Sequence, residues 1–169
     1  MMSEVFRVAD PKDAQKLQDI IFRAYQLIRE LGLHWPAATA DVAVVEDNIV
    51  SNDCYVLEYA GDIVATVTLS RQDEVKQLTE HPFLKWFALD PDYKGRGLGS
   101  KLLSWVEEHV IRGKLGASAV TLATAEKHPF LVQMYERRGY ERILEIMPHP
   151  DDGILYLMKK QLICEASTI

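Results

Sequence analysis

Phe83 to Leu89 is apolar on both alternating faces except at Lys85, which describes a strand buried in the middle of a sheet. Asp90 and Pro91 end it, because proline has no N–H to give to a ladder. Gly95, Gly97 and Gly99 then alternate with Arg96 and Leu98, and Leu98, Leu102, Leu103, Val106 and Val110 follow at helical spacing. A buried strand therefore feeds a glycine-rich turn that opens a helix.

That junction suits an anion. The first amides of a helix have no partner within it and lie at the positive end of its dipole. Glycines let a ligand approach without side chains in the way. Lys94, Arg96 and Lys101 add positive charge, and no acid stands between Asp92 and Glu107. The expected ligand is a phosphate or pyrophosphate.

The spacing G-x-G-x-G differs from the G-x-G-x-x-G of dinucleotide sites, and Ser100 stands where a P-loop needs its second glycine. Lys94, Gly97 and Gly99, preceded by Leu89-Asp90-Pro91, resemble instead the acyl-CoA signature [QR]-x-x-G-x-[GA] of the GNAT superfamily of N-acetyltransferases. Lys94 departs from the usual Arg or Gln, keeping the charge without the planar fork of an arginine. A second stretch, His128 to Tyr140, resembles the family's N-x-x-A-x-x-x-Y-x-x-x-G-[FY]: Tyr135, Gly139 and Tyr140 match, while His128 and Leu131 replace the asparagine and the alanine.

The rest of the chain agrees with one domain, residues 1–169. Val5 to Val8 reads as a strand. Asp10 caps a helix with Pro11 in its first turn, and Leu17, Ile20, Ile21, Ala24, Ile28 and Leu31 form one stripe ending at Gly32. A second helix covers Asp41 to Val50. Cys54 to Tyr59 and Ile63 to Ser70 are strands around Ala60-Gly61-Asp62, and Arg71 to Pro82 is a polar loop. The helix after the glycine turn ends near Gly113 or Gly116. A strand at Ala119 to Thr124, a short helix from His128 to Gly139, and strands at Tyr140 to Met147 and Ile154 to Lys160 complete the chain. The fold expected is α/β (α+β), a mixed central sheet of about 7 strands flanked by about 4 helices. This is also the element order of the GNAT fold, in which a splay between the fourth and fifth strands admits the acyl-CoA.

Composition excludes several alternatives. The chain is 48% hydrophobic and 26% charged, with net charge −6, so a general nucleic-acid surface is not expected. No apolar run approaches the roughly 18 residues of a membrane span, and no signal-peptide pattern opens the chain. Cys54 and Cys164 are too few for a disulfide framework or a cysteine zinc site. A cytoplasmic protein with reduced thiols is expected. His34 and His149 share no helix or hairpin, so spacing supports no metal site.

The resemblance implies transfer of an acetyl group from acetyl-CoA to a primary amine of a small molecule or protein, by direct attack in a ternary complex. It implies contacts to the cofactor from Phe87 and Leu89 on the central strand, from Lys94, Gly95, Arg96, Gly97, Leu98, Gly99 and Ser100 at the turn, and from His128. A main-chain N–H of the splayed strand would serve the oxyanion. Tyr135 is the expected general acid toward the leaving thiolate: a phenol of ordinary pKa about 10 is protonated at neutrality. The attacking amine must lose a proton, yet Phe83 to Leu89 contains no glutamate; His81, His128 and Glu58 stay unassigned as bases. The acceptor pocket is expected between Leu33 to Pro36, where Trp35 would wall it, and Pro148 to Gly153, where Asp151 or Asp152 would meet a cation. A homodimer is a family-level expectation. The competing reading is a module that binds acyl-CoA without turnover.

Overall fold

The computed structural model describes residues 3–71, 76 and 78–162. Its strands are β1 (Glu4–Val8), β2 (Asp53–Tyr59), β3 (Asp62–Leu69), β4 (Phe83–Leu89), β5 (Ala119–Ala125), β6 (Glu141–Ile146) and β7 (Leu155–Gln161). They form one sheet in the order β1-β2-β3-β4-β5-β7-β6, antiparallel except for the β4–β5 pair. Helices α1 (Ala14–Ala24), α2 (Gln26–Glu30) and α3 (Val42–Ser51) cover one face; α4 (Leu98–Trp105) and α5 (Pro129–Arg137) cover the other. The mixed α/β architecture read from the sequence is the one observed. Among the described residues no helix is long and apolar enough to cross a membrane.

Local chemistry explains the elements. Asp10 accepts from the Lys12 amide and forms a reciprocal capping box with Asp13. Asp41 caps α3 through the Val44 amide. Between β2 and β3 the turn residues Ala60 and Gly61 both have positive φ, as a tight hairpin requires. On the polar face of β3, Asn48 of α3 donates to Thr68 and Thr66 donates to the Tyr55 carbonyl, so hydroxyls below the helix are satisfied.

Three expectations need correction. The first helix is not continuous: Tyr25 (φ −95°, ψ 15°) separates α1 from α2, and Arg29 donates to the Phe22 carbonyl at the break while its guanidinium lies over the Phe22 ring. The helix after the glycine turn is α-helical only to Trp105, and Val106–Lys114 continues as a π-helix. At Gly113 a side chain would meet the Glu108 carbonyl oxygen at 3.0 Å, so this wide turn closes tightly there. Last, β4 is not fully buried: Leu84 and Ala88 are, but Phe83, Lys85, Trp86, Phe87 and Leu89 are only partly covered. The loop expected at 71–82 and the thiol of Cys164 fall partly and wholly, respectively, outside the described residues. Cys54 is a free thiol in the core, and burial raises its pKa.

Candidate active site

The sheet opens where the sequence argument needs it to. β4 and β5 pair only at Phe83↔Thr121 and Leu84↔Leu122; beyond these the two strands part. A one-residue bulge in β4 accompanies the separation. Thr68 pairs with Lys85 but Thr66 with Ala88, so Trp86 and Phe87 together face Val67. Trp86 takes φ 56°, a left-handed value that a large side chain adopts only under constraint.

The bulge reverses which amides face which neighbour. Before it, the Phe83 carbonyl accepts from Ser70 on the β3 side, and the Pro82 carbonyl accepts from Thr121 on the β5 side. After it, the Asp90 amide donates to Val64, so the even-numbered residues face β3. Alternation then turns the main-chain groups of Phe87 and Leu89 toward the gap. This is the arrangement expected if an extended ligand adds to the strand.

The gap belongs to a cavity of about 720 Å³ lined by residues of α1, α2, β4, β5 and α5, and by Trp35 and Pro148 from the two loops expected to hold the acceptor. No aspartate or glutamate lines it among the described residues; its charged groups are Lys85 and Lys94.

At one end lies the glycine turn. Gly97 is the N-cap of α4 at φ 71°, so the amides of Leu98, Gly99 and Ser100 are the unpaired first donors of the helix, with Lys101 the first to bond back, to Gly97. A Cβ at Gly97 would meet nothing within 4 Å, whereas one at Gly99 would come within 3.0 Å of the Phe87 ring. Gly97 thus sets the backbone conformation, and Gly99 lets α4 lie directly on β4. Leu98 is buried in the core, leaving only its main chain for a ligand. Gly95 also has positive φ, Lys94 lines the cavity, and Arg96 sits over Tyr93 with 5.3 Å to the ring centroid. Two side chains at this turn are already engaged. The Ser100 hydroxyl accepts from Arg138 (2.6 Å), and Lys101 pairs with Glu4 (2.6 Å), an acid brought in from β1 that the local charge count missed.

The turn is braced from behind. Asp90, 3% exposed, takes a bidentate pair from Arg23 of α1 (2.9 and 3.0 Å) and accepts from the Asp92 amide. Arg23 therefore holds the Asp90 carboxyl below its ordinary pKa. A depressed carboxylate adds stability that is present above the unfolded pKa, about 3.9, and lost as pH falls through the folded one. Arg23→Ala is expected to cost about 2 kcal/mol at pH 7, below the full buried-pair value because Arg23 is partly solvated. The difference from wild type should begin to shrink below about pH 4 and close only once pH has fallen through the depressed Asp90 pKa, as read by urea unfolding at pH 7 and along a series below pH 4.

Tyr135 of α5 is buried and lines the cavity, with Tyr140 edge-on at 5.6 Å between centroids. Burial raises its pKa well above that of a free phenol, only partly opposed by Arg138, so it is a protonated donor throughout the neutral range. His128 caps α5: Nδ1 accepts from the Leu131 amide (3.4 Å), which puts the neutral ring's proton on Nε2. Burial also lowers its pKa, so at neutrality it offers an N–H rather than a basic lone pair. The other base candidates are elsewhere. Glu58 pairs with Arg7 on β1, and His81 does not line the cavity.

Tyr25 was missed from the sequence. Its hydroxyl donates to the Phe87 carbonyl (2.9 Å) at the mouth of the gap, its ring meets Trp35 edge-on at 6.3 Å, and both line the cavity. Burial and the nearby Tyr135 raise its pKa. The available signal was a tyrosine within a buried helical stripe, since a buried phenol needs a partner.

The two loops expected to hold the acceptor are joined. Asp152, 3% exposed, accepts from both the amide and Nδ1 of His34 (2.8 Å each), and the His34 and His149 rings stack at 4.2 Å. Burial alone would push Asp152 up; the His34 bonds outweigh it and hold the carboxyl low. Asp152 is thus occupied by the protein and not presented to a cation. His34, His149 and Asp151 have potential ligand atoms within 4.8 Å of one another, a proximity that helix or hairpin spacing could not disclose. Both Nδ1 atoms have protein partners, Asp152 and the Asp151 amide.

The acetyltransferase (GNAT) family profile matches residues 15–140. The chain is 43% identical over 167 residues to S-alkylcysteine N-acetyltransferase from Bacillus subtilis (strain 168), covering 98% of this chain and 93% of the relative. It is 45% identical over 166 residues to S-(2-succino)cysteine N-acetyltransferase from the same organism, covering 95% and 98%. Among solved structures, the ribosomal-protein-S18-alanine N-acetyltransferase from Escherichia coli superposes with a TM-score of 0.72 at 17% identity, over 99% of both chains. The PaiA N-acetyltransferase from Thermoplasma acidophilum, in complex with coenzyme A, gives 0.69 at 15% identity, over 95% of this chain and 99% of that one. A sheet parted at β4 and β5, a helix opening on an unobstructed glycine turn and a buried tyrosine across the gap are joined by near full-length kinship to N-acetyltransferases: the chain belongs to the GNAT family and is an acetyl-CoA-dependent N-acetyltransferase.

Proposed function

We propose that the acceptor is the α-amine of a cysteine carrying a substituent on its sulfur. The observation that carries this reading is the pair of relatives at 43% and 45% identity, both named for N-acetylation of S-substituted cysteines. The cavity agrees with it. Among the described residues it offers no carboxylate to hold a polycation or to take a proton from a strongly basic amine. Freeing a lysine-like amine at pH 7 costs about 4.6 kcal/mol, and the less basic α-amine of an amino acid costs less. A site without a strong base is workable for the second and poor for the first.

In this reading the amides of Leu98, Gly99 and Ser100, with Lys94 and Arg96, hold the pyrophosphate of acetyl-CoA. The main chain of Phe87 and Leu89 lines the pantetheine arm, and His128 offers its Nε2 proton nearby. Trp35 walls the acceptor. Tyr135 gives a proton to the departing sulfur; burial raises the proton affinity of both groups, so the transfer remains feasible.

The test is a panel of S-methylcysteine, S-benzylcysteine, S-(2-succino)cysteine, lysine and spermidine with acetyl-CoA, followed by thiol release and product mass. At least one cysteine derivative should exceed spermidine in kcat/KM by roughly 100-fold. Acetylation of spermidine or lysine in preference to all three would overturn the assignment. Gly97→Trp, which fills the turn, should abolish calorimetric binding of acetyl-CoA and turnover with every acceptor.

A further inference from the structure

Thr124 stands near the end of β5, beyond the last residues paired with β4, and lines the cavity. It is 1% exposed, and among the described residues its Oγ1 has no hydrogen-bond partner. Other buried threonines differ: Thr66 donates to the Tyr55 carbonyl, Thr68 accepts from Asn48, and Thr121 donates to the Pro82 carbonyl. A buried hydroxyl left alone is destabilising; among the described residues the buried side-chain atoms without a partner are Thr124 Oγ1 and Arg138 Nε, and of the two residues Thr124 lines the cavity.

Its direction follows from strand alternation. Val120 and Leu122 share its face of β5, and both lie in the core cluster that contains Tyr135 and the apolar residues of α4. Thr124 therefore faces the Tyr135 side of the sheet, not the side of Trp35 and α1. The acceptor loops lie on the latter side; Tyr135 lies where the sulfur must leave.

We propose that Thr124 Oγ1 hydrogen-bonds the sulfur of the acyl donor and strengthens that bond as the sulfur becomes a thiolate. This rests on acetyl transfer with Tyr135 as the acid, and is independent of which amine is acetylated. The amine nitrogen bonds to the acetyl carbon, and the C–S bonding pair goes to sulfur. Sulfur takes its proton from Tyr135, which is replenished by the proton that the amine sheds. Thr124 keeps its own proton. A thiolate is a better acceptor than a thioester, so the contact favours the transition state over the bound substrate.

The decisive comparison is calorimetric binding of CoA and of desulfo-CoA, at pH 9, to wild type, Thr124→Val and Thr124→Ser. Valine should lower CoA affinity about tenfold and leave desulfo-CoA affinity within about twofold; serine should restore the difference. Turnover with the best acceptor should fall about tenfold in kcat for valine and recover for serine. The ligand-free valine variant should unfold at or above the wild-type temperature, because an isosteric methyl replaces an unpaired hydroxyl. Equal losses for CoA and desulfo-CoA, or wild-type CoA binding in the valine variant, would overturn the proposal. Thr124→Ala provides the same comparison should valine impair folding. Failure of every cysteine derivative as acceptor would remove the proposed substrate while leaving this binding result intact.

Discussion

Tyr135→Phe is expected to lower kcat by about 100-fold or more while leaving acetyl-CoA affinity within about twofold. The ring stays, so its edge-on contact with Tyr140 survives and the unfolding temperature should hold. Only the proton donor is lost. The pH profile supplies a second reading. Burial holds the Tyr135 pKa above the ordinary phenol value, so the wild-type rate should not fall on the alkaline side before about pH 10. It should rise from acid through the pKa of the acceptor α-amine as that amine loses its proton. A wild-type kcat in the phenylalanine variant, measured by thiol release at saturating acceptor, would remove Tyr135 from the chemistry.

The second large effect concerns Glu107. This carboxylate, 2% exposed at the start of the π-helix, receives Arg138 (3.0 Å), Lys160 (2.8 Å) and the Tyr140 hydroxyl (2.6 Å). Glu107→Ala strands two cations and a phenol at once. The expected cost is about 3–5 kcal/mol, or roughly 10 °C in Tm for a chain of this size. Activity should suffer as well. Arg138 also donates to Ser100 on α4, and Tyr140 packs on Tyr135, so the node ties the glycine turn to the proposed proton donor. Calorimetric unfolding checks the first part. A variant that unfolds within 2 °C of wild type would show that Arg138 and Lys160 are adequately solvated without their partner.

The strand, glycine turn and helix were legible because each rests on local chemistry: an apolar run, a proline stop, glycines and a 3.6-residue repeat. Tyr135 and His128, singled out by the family resemblance from their spacing ahead of Gly139 and Tyr140, both line the cavity. What escaped was tertiary. The bulge at Trp86 leaves no composition signal, since it depends on how β4 registers against β3. The helix break at Tyr25 lies inside a stripe that reads as continuous. Glu4 against Lys101, and His34 against Asp152, join residues 97 and 118 positions apart, beyond the reach of any periodicity. The lack of a carboxylate in the cavity was half visible, as a strand without glutamate; that no other element supplies one among the described residues required the fold.

The bulged residue in β4 also bears on which sequence changes a lineage of such enzymes can survive. Surface loops absorb insertions and deletions readily, but losing one residue between Lys85 and Ala88 would restore an unbroken ladder with β3. Ala88 and Leu89 would keep their partners Thr66 and Ala65, but the doubled Trp86–Phe87 step opposite Val67, with its left-handed backbone at Trp86, would vanish from the edge of the opening. No single substitution elsewhere restores the missing residue. The length of this strand should therefore stay fixed while its side chains drift, and a homologue shorter by one residue here should have kept the fold and lost the reaction.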